Sequence, residues 1–451
     1  MHQRLRPGLP GISPKSLKAI LLVAAALSFS SSACSSRTGT GAAAGPLRVR
    51  LGVEVFLDKH LDLVRGKKVG LLTNPTGTDS HLRSTIDLFL ERPEIKLVAL
   101  YGPEHGVRGD AQAGEYVPFY YDRKSHLPVF SLYGQSMKPE PGMLRHIDEY
   151  MRSYDTRSAG KKPEGAMVGD IDVFVCDLQD VGTRVYTYIA TMAYVMQACA
   201  ENGTEFVVLD RPNPLDGVDM EGPILEYPAW SSFLGLYPIP ERHGLTLGEL
   251  ARLFNDRFLP RKAKLTVIPM EGWTRTMWFD QTGLPWIMPS PNMPTLDTAT
   301  VYPGQVSLEG TNISEGRGTT RPFETFGAPW IDGHELAARL NALGLPGVIF
   351  REAWFTPTFS KFEGRLCGGC QLHVTDRSLY RSFETALDII KTVRDMDPGR
   401  FEFHRDYFDK VMGTPRIREA LEAGTAVRTI IEGLRPGLAA FAELRKPYLL
   451  Y

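Results

Sequence analysis

The stretch Lys96-Leu-Val-Ala-Leu-Tyr-Gly-Pro-Glu104-His105-Gly-Val-Arg-Gly-Asp110 reads as a short buried strand that runs straight into chemistry. Leu97 to Tyr101 is an unbroken apolar run of strand length. Gly102-Pro103 ends it, since proline cannot donate to a sheet ladder and glycine accepts a turn. A carboxylate and an imidazole follow at once, flanked by glycines that let the backbone bend and a ligand come close. An acid placed there suits neither a core nor a helix face. Two roles remain for Glu104: a turn residue capping a neighbouring element, or a functional acid.

The pattern recurs on either side. Lys67 to Thr73 is an apolar run ending in Asn74-Pro75, and Asp172-Val-Phe-Val-Cys-Asp177 runs into Leu178-Gln179-Asp180. Glu205-Phe-Val-Val-Leu-Asp210 runs into Arg211-Pro-Asn213. Helical patterns over 80–91, 186–201 and 247–258 alternate with these runs, the second stopped by Asn202-Gly203, and Leu265 to Pro269 reads as a closing strand. Residues 117–165, rich in Pro, Tyr and Gly, read as a looser region. Short buried strands alternating with amphipathic helices specify an α/β fold with a mostly parallel sheet covered on both faces. Ligands of such sheets bind beyond the carboxyl ends of the strands. The polar strand ends Thr73-Asn74, Glu104-His105, Asp177-Gln179-Asp180 and Asp210-Arg211-Asn213 therefore predict a site at one rim, which favours a functional Glu104.

A chain of 451 residues exceeds what one core usually organises, so two domains are expected, 49–274 and a smaller α/β domain over 275–451. The second opens with Trp278, Trp286 and Pro289-Ser-Pro-Asn-Met-Pro294, followed by a glycine-dense polar loop from Glu309 to Glu324 that includes Asn312, Glu315 and Arg317. Long irregular loops inside compact domains are usually functional. Helix over 332–343, strands over 347–355 and 370–375, and helix over 378–395 come next, then closing helices with a break expected at Pro436-Gly437. Cys367-Gly-Gly-Cys370 with His373 has the look of half a zinc site, but no second pair sits at a matching spacing, so a strand is expected there and no metal.

A net charge of −1 without a basic block argues against nucleic acid as a partner. No G-x-G-x-x-G, phosphate-binding G-x-x-x-x-G-K-[ST], G-x-S-x-G or H-E-x-x-H occurs, so no nucleotide cofactor, serine nucleophile or zincin site is expected. Carboxylates are what the rim offers, and paired carboxylates are the usual apparatus for cleaving a glycosidic bond. Two other classes fit less well: a metal-dependent deacetylase or amidase using His105, His243 and rim carboxylates, and a solute-binding lipoprotein.

The front end reads as a targeting segment. Arg4, Arg6, Lys15 and Lys18 precede the apolar run Ala19 to Leu27, and Ser30-Ser-Ser-Ala33 leads to Cys34. This order resembles a bacterial lipoprotein signal, so residues 1–33 are expected to be a leader, Cys34 the lipid attachment site and 34–48 a flexible linker. An exported protein anchored in the cell envelope follows.

Taken together, Leu71-Leu-Thr-Asn-Pro-Thr-Gly77, Gly102-Pro-Glu-His-Gly-Val-Arg-Gly109, Asp177 to Arg184 with Tyr186, Asp210-Arg-Pro-Asn-Pro214 and Leu308 to Thr319 resemble the NamZ-type exo-β-N-acetylmuramidases over roughly residues 50–451. The resemblance implies a Rossmann-like domain, a smaller C-terminal domain and an active-site cleft between them. It implies release of N-acetylmuramic acid from the non-reducing end of peptidoglycan-derived glycans, with Glu104 as catalytic acid. An insertion around 150–168 could reshape the cleft rim. On this view His105 orients Glu104, and Asp177, Asp180, Glu309 and Glu315 compete as second carboxylate. The substrate's lactyl carboxylate calls for an arginine, Arg317, Arg184 or Arg211. Asn74, Gln179, Tyr186, Asn213 and Asn312 complete the expected binding set.

Overall fold

The computed structural model describes residues 48–134, 137–145, 147 and 170–451. The leader, Cys34 and the 150–168 insertion lie outside the described residues.

Val69, Leu71, Leu72 and every residue from Val173 to Asp177 are buried, because central parallel strands are covered on both faces. They belong to a sheet built from β1 (Lys68–Thr73), β2 (Lys96–Gly102), β3 (Tyr120–Tyr121), β4 (Pro128–Ser131), β5 (Val173–Asp177), β6 (Glu205–Leu209) and β7 (Lys264–Ile268). Its order is β3-β4-β2-β1-β5-β6-β7, with only the β3–β4 pair antiparallel. The edge strand β3 and its neighbour β4 fall inside the stretch read as loose. Register pairs Thr73 with Asp177 and Leu72 with Tyr101, so the polar residues after β1, β2 and β5 emerge at the same rim.

The helices accompanying the sheet are α1 (Gly52–Lys59), α2 (Thr85–Leu90), the single turn α3 (Pro141–Leu144), α4 (Tyr188–Asn202) and α5 (Leu247–Arg257). Helix α4 stops at Gly203, whose φ of 71° is the left-handed cap that glycine adopts freely. Helix α5 starts with a reciprocal cap: Thr246 Oγ1 accepts from Glu249 N at 3.2 Å, and Glu249 Oε2 accepts from Thr246 N at 3.0 Å.

Beyond β7 come α6 (Leu296–Gln305), β8 (Thr325–Ala328), α7 (Gly333–Ala342), β9 (Val348–Phe355), β10 (Cys367–Val374), α8 (Ser382–Met396), α9 (Arg405–Met412), α10 (Arg416–Glu422) and α11 (Val427–Arg445). The strands form a smaller antiparallel sheet of order β8-β10-β9. Cys367 and Cys370 lie in β10 with both thiols buried. Helix α11 runs through Pro436, where the sequence predicted a break. Pro436 and Glu432, one turn back, are both exposed, so the carbonyl that loses its partner faces water.

One apolar core runs from Val98 and Tyr101 in β2 through α4 to Phe408 and Phe441 in the C-terminal helices. The join is reinforced by Arg184, buried in the loop after β5. It pairs with Glu241 and donates to the carbonyls of Val411 and Met412, each at 3.0 Å, at the end of α9.

Candidate active site

Glu104 stands two residues past β2, where the chain must fold back tightly. A Cβ on Gly102 would lie 2.9 Å from Val107 N, so glycine is needed there. His105 takes a φ of 73°, a left-handed conformation uncommon outside glycine but one that histidine adopts more readily than most residues. The result is a buried Glu104 lining a cavity of about 500 Å³.

Three groups fix its carboxyl. Gly114 N donates to Oε1 at 2.9 Å, and Thr187 Oγ1 donates to Oε2 at 2.8 Å. Tyr133, just past β4, also hydrogen-bonds Glu104, and its hydroxyl is pushed up to about 12, by burial first and then by the neighbouring carboxylate. Thr187 is the residue at which α4 begins, so the acid is set by the ends of β2 and β4 and the start of α4.

His105 acts on Glu104 by an indirect route. Its Nδ1 lies 2.9 Å from the Ala111 carbonyl, an acceptor, so the ring donates there and anchors the loop carrying Gly114. Burial holds the imidazole below its ordinary value; Glu104 and the Ala111 carbonyl oppose this and Arg317 reinforces it. His105 thus positions Glu104 through the backbone of residues 111–114 rather than by a direct bond.

The opposite contributions come from the C-terminal half. Ser290, Asn292, Tyr302, Glu309, Glu315, Arg317, Phe323, Ser360, His404 and Tyr407 line the same cavity. Arg317 binds Glu309 Oε1 through Nη2 at 2.6 Å and Nε at 3.2 Å, and its Nε lies 3.5 Å from Glu315. Tyr407 donates to Glu309 Oε2 at 2.8 Å, and Lys361 reaches Glu315 at 3.1 Å. Burial opposes the charge on Arg317, yet Glu309 and Glu315 outweigh it and hold the guanidinium above its ordinary range. Two cations balance two carboxylates in this cluster. An aromatic floor joins it to α4: Tyr186 meets Tyr302 edge-on at 5.8 Å, Tyr302 meets Phe323 at 4.8 Å, and Arg317 lies 5.0 Å above Phe323.

The other expected site residues are not brought to this cavity. Arg211 grips Asp177 through Nε at 2.6 Å and Nη2 at 2.9 Å and also holds the Thr78 carbonyl at 2.8 Å. Gln179 Nε2 donates to the carbonyls of Asp180 and Pro212, both at 2.7 Å, and Asn74 Oδ1 accepts from Thr76 N at 3.0 Å. Asn213 Nδ2 donates to the Leu245 carbonyl at 2.9 Å. Asp180 accepts from Gly182 N at 2.7 Å and lies 3.4 Å from buried His243. These contacts tie the strand ends to one another at the crevice between β1 and β5, where doubly wound folds usually seat a ligand. Arg184 is committed to Glu241, and Asn312 binds Arg400 O at 2.7 Å and Glu402 N at 3.0 Å. Arg317 is the one candidate arginine that reaches the cavity.

Sequence reasoning missed Tyr133, Thr187, Phe233, Asn292, His404 and Tyr407. A signal existed for Asn292 alone, in the proline-bracketed Pro289–Pro294 segment, whose buried Asn292 Nδ2 has no protein partner among the described residues. His105 and His243 do not share a site, and among the described residues no group of three His, Cys, Asp or Glu is placed to hold a metal ion.

With this geometry in view, the chain can be set beside known proteins. The family description "Exo-beta-N-acetylmuramidase NamZ, N-terminal" matches residues 69–153 and 149–297, and its C-terminal counterpart matches 300–451. The peptidoglycan β-N-acetylmuramidase NamZ of Bacillus subtilis is 51% identical over 405 residues, covering 90% of this chain and 92% of the relative. Two crystal structures of DUF1343 family proteins from Bacteroides fragilis superimpose with TM-scores of 0.79 and 0.69, at 38% and 30% identity. They cover 90% and 89% of this chain and 99% of their own length in each case. The motif that seats Glu104, the pair of sheets and these matches agree: the chain belongs to the NamZ exo-β-N-acetylmuramidase family.

Proposed function

We infer that this chain is a glycosidase, an exo-β-N-acetylmuramidase that releases N-acetylmuramic acid from the non-reducing end of peptidoglycan-derived glycans. Family membership supports the reaction and the substrate class. Within the molecule, the reading is carried by the seat of Glu104, a buried carboxyl fixed by Gly114 N and Thr187 at the wall of a sugar-sized cavity. Glu104 gives its proton to the glycosidic oxygen as the bond from the anomeric carbon to that oxygen breaks.

A second carboxylate then meets the positive charge growing at the anomeric carbon or activates water. Glu309 is the candidate, because it lines the cavity and is oriented by both Tyr407 and Arg317. Asp177 and Asp180 are assigned to the scaffold. The lactyl carboxylate is assigned to Arg317, because Arg184 and Arg211 do not line the cavity. Incubation with N-acetylmuramyl-β-1,4-N-acetylglucosamine should give both free sugars by mass spectrometry. A disaccharide that survives intact, or that Glu104→Gln cleaves as fast as the parent, would overturn the reading.

We further propose that the protein is exported and held at a membrane of the cell envelope by lipid on Cys34. The order of basic residues, apolar run, small residues and cysteine supports it. A Cys34→Ala variant that partitions into membranes as fully as the parent would remove the anchor from this position.

A further inference from the structure

Two apolar side chains enter the catalytic cavity from a place where turn chemistry disfavours them. Phe233 and Leu234 are the central pair of a tight hairpin closed by reciprocal bonds, Ser232 N to Gly235 O at 2.9 Å and Gly235 N to Ser232 O at 3.1 Å. Such positions ordinarily go to Gly, Asn, Asp, Ser or Pro. Phe-Leu there breaks a local rule, and breaks of that kind gather at functional sites. Both residues line the cavity and both are only half-buried.

The turn is held firmly. Ser232 Oγ accepts from Leu234 N at 3.2 Å, and Ser231 Oγ donates to the Leu236 carbonyl at 2.7 Å. At its base Gly235 packs so tightly that a Cβ would fall 2.6 Å from Leu225 and 2.7 Å from the buried Arg184 guanidinium. The Phe233 ring stacks on Tyr194 of α4, centroids 6.2 Å apart and planes 8° from parallel. It also meets Tyr133 at 5.8 Å, and Tyr133 hydrogen-bonds Glu104.

That chain of contacts gives the turn a direction. Glu104 protonates the oxygen shared by the two sugars, so a ring bound beside the acid on the Tyr133 side belongs to the departing sugar. The charged cluster of Glu309, Arg317 and Tyr407 is presented by the other half of the protein and suits the sugar that stays. A pyranose turns its C–H groups to one face, and covering that face with an aromatic ring removes apolar surface from water.

We propose that the Phe233-Leu234 turn is the subsite for the leaving sugar, with Phe233 as the platform under an N-acetylglucosamine ring. The assignment rests on the muramidase reading and adds to it a selection of what is released along with N-acetylmuramic acid. The experiment compares the parent chain, Phe233→Ala and Phe233→Trp on N-acetylmuramyl-β-1,4-N-acetylglucosamine and on methyl β-N-acetylmuraminide, which has no leaving ring. Even one methylene in a hydrophobic pocket is worth roughly 10- to 200-fold in discrimination. Phe233→Ala should therefore lose about tenfold or more in kcat/KM on the disaccharide and stay within about twofold on the methyl glycoside. Phe233→Trp, with a ring restored, should recover most of the loss, and inhibition by free N-acetylglucosamine should weaken in Phe233→Ala alone. Equal losses on both substrates would make the ring a structural support and overturn the subsite, as would an undiminished disaccharide rate. A parent chain that cleaves neither substrate would overturn the muramidase reading itself, and the subsite with it.

Discussion

Thr187 Oγ1 donates a 2.8 Å hydrogen bond to Glu104 Oε2 across 83 positions of sequence, and it is where the start of α4 meets the end of β2. The contact fixes the carboxyl from the helix side while Gly114 N holds the other oxygen at 2.9 Å. Thr187→Val keeps the shape and removes the donor. Glu104 is neutral when it acts as the acid, and an ordinary hydrogen bond is worth about 0.5–1.5 kcal/mol, so kcat should fall about two- to tenfold with little change in KM. An unaltered kcat would mean that Gly114 and Tyr133 orient the acid unaided.

Glu104→Gln retains shape and bonding but cannot deliver a proton. General acid catalysis contributes about 10²- to 10⁴-fold, and the natural disaccharide should lose that order. An aryl glycoside whose phenolate departs without protonation should lose far less. A variant that folds normally and is crippled equally on both substrates would assign Glu104 to nucleophile or base instead.

Arg317→Lys should separate substrates. Lysine keeps the charge that balances Glu309 and Glu315 but lacks the planar fork that binds a carboxylate through two parallel bonds. Hydrolysis of a muramic-acid substrate should fall more than that of the matching N-acetylglucosaminide. Equal losses would show that the arginine serves the loop and Glu309, and that the lactyl group is read by neutral donors such as Asn292.

His105 links stability to pH. Burial depresses its folded-state value below the ordinary 6.5, so the unfolded chain binds the proton first as pH falls. The native state is then favoured fully above 6.5 and loses stability as pH drops from there through the depressed value. His105→Asn tolerates the positive φ and keeps a donor for the Ala111 carbonyl. Its melting temperature should decline less steeply over that acidic window; a slope identical to the parent's would show that other groups set the acid limb.

Legibility followed the kind of constraint each residue carries. Leu97 to Tyr101 and Val173 to Cys176 could be recognised as strands because a parallel strand buried on both faces leaves an apolar run in the sequence. Tyr120–Tyr121 and Pro128–Ser131 could not, being two and four residues long, the longer one opening on proline. Glu104 was legible through its glycines. Asp177 and Arg211 were assigned to the site because a polar strand end looks the same in sequence whether it faces a ligand or its own neighbour. Register and packing decide that, and they are properties of the assembled sheet. Tyr407, Phe233 and Asn292 reach the cavity from segments far apart in the chain, and no local pattern marks a convergence of that sort.

The guanidinium of Arg184, pinned to Glu241 and to the carbonyls of Val411 and Met412, also bears on how the cleft works as a mechanical object. Removing one partner of a buried ion pair costs about 3–5 kcal/mol, so parting the walls at this bolt is expensive. A glycan end is therefore expected to enter a preformed slot without drawing the walls together, and the solution scattering profile should be the same with and without sugar.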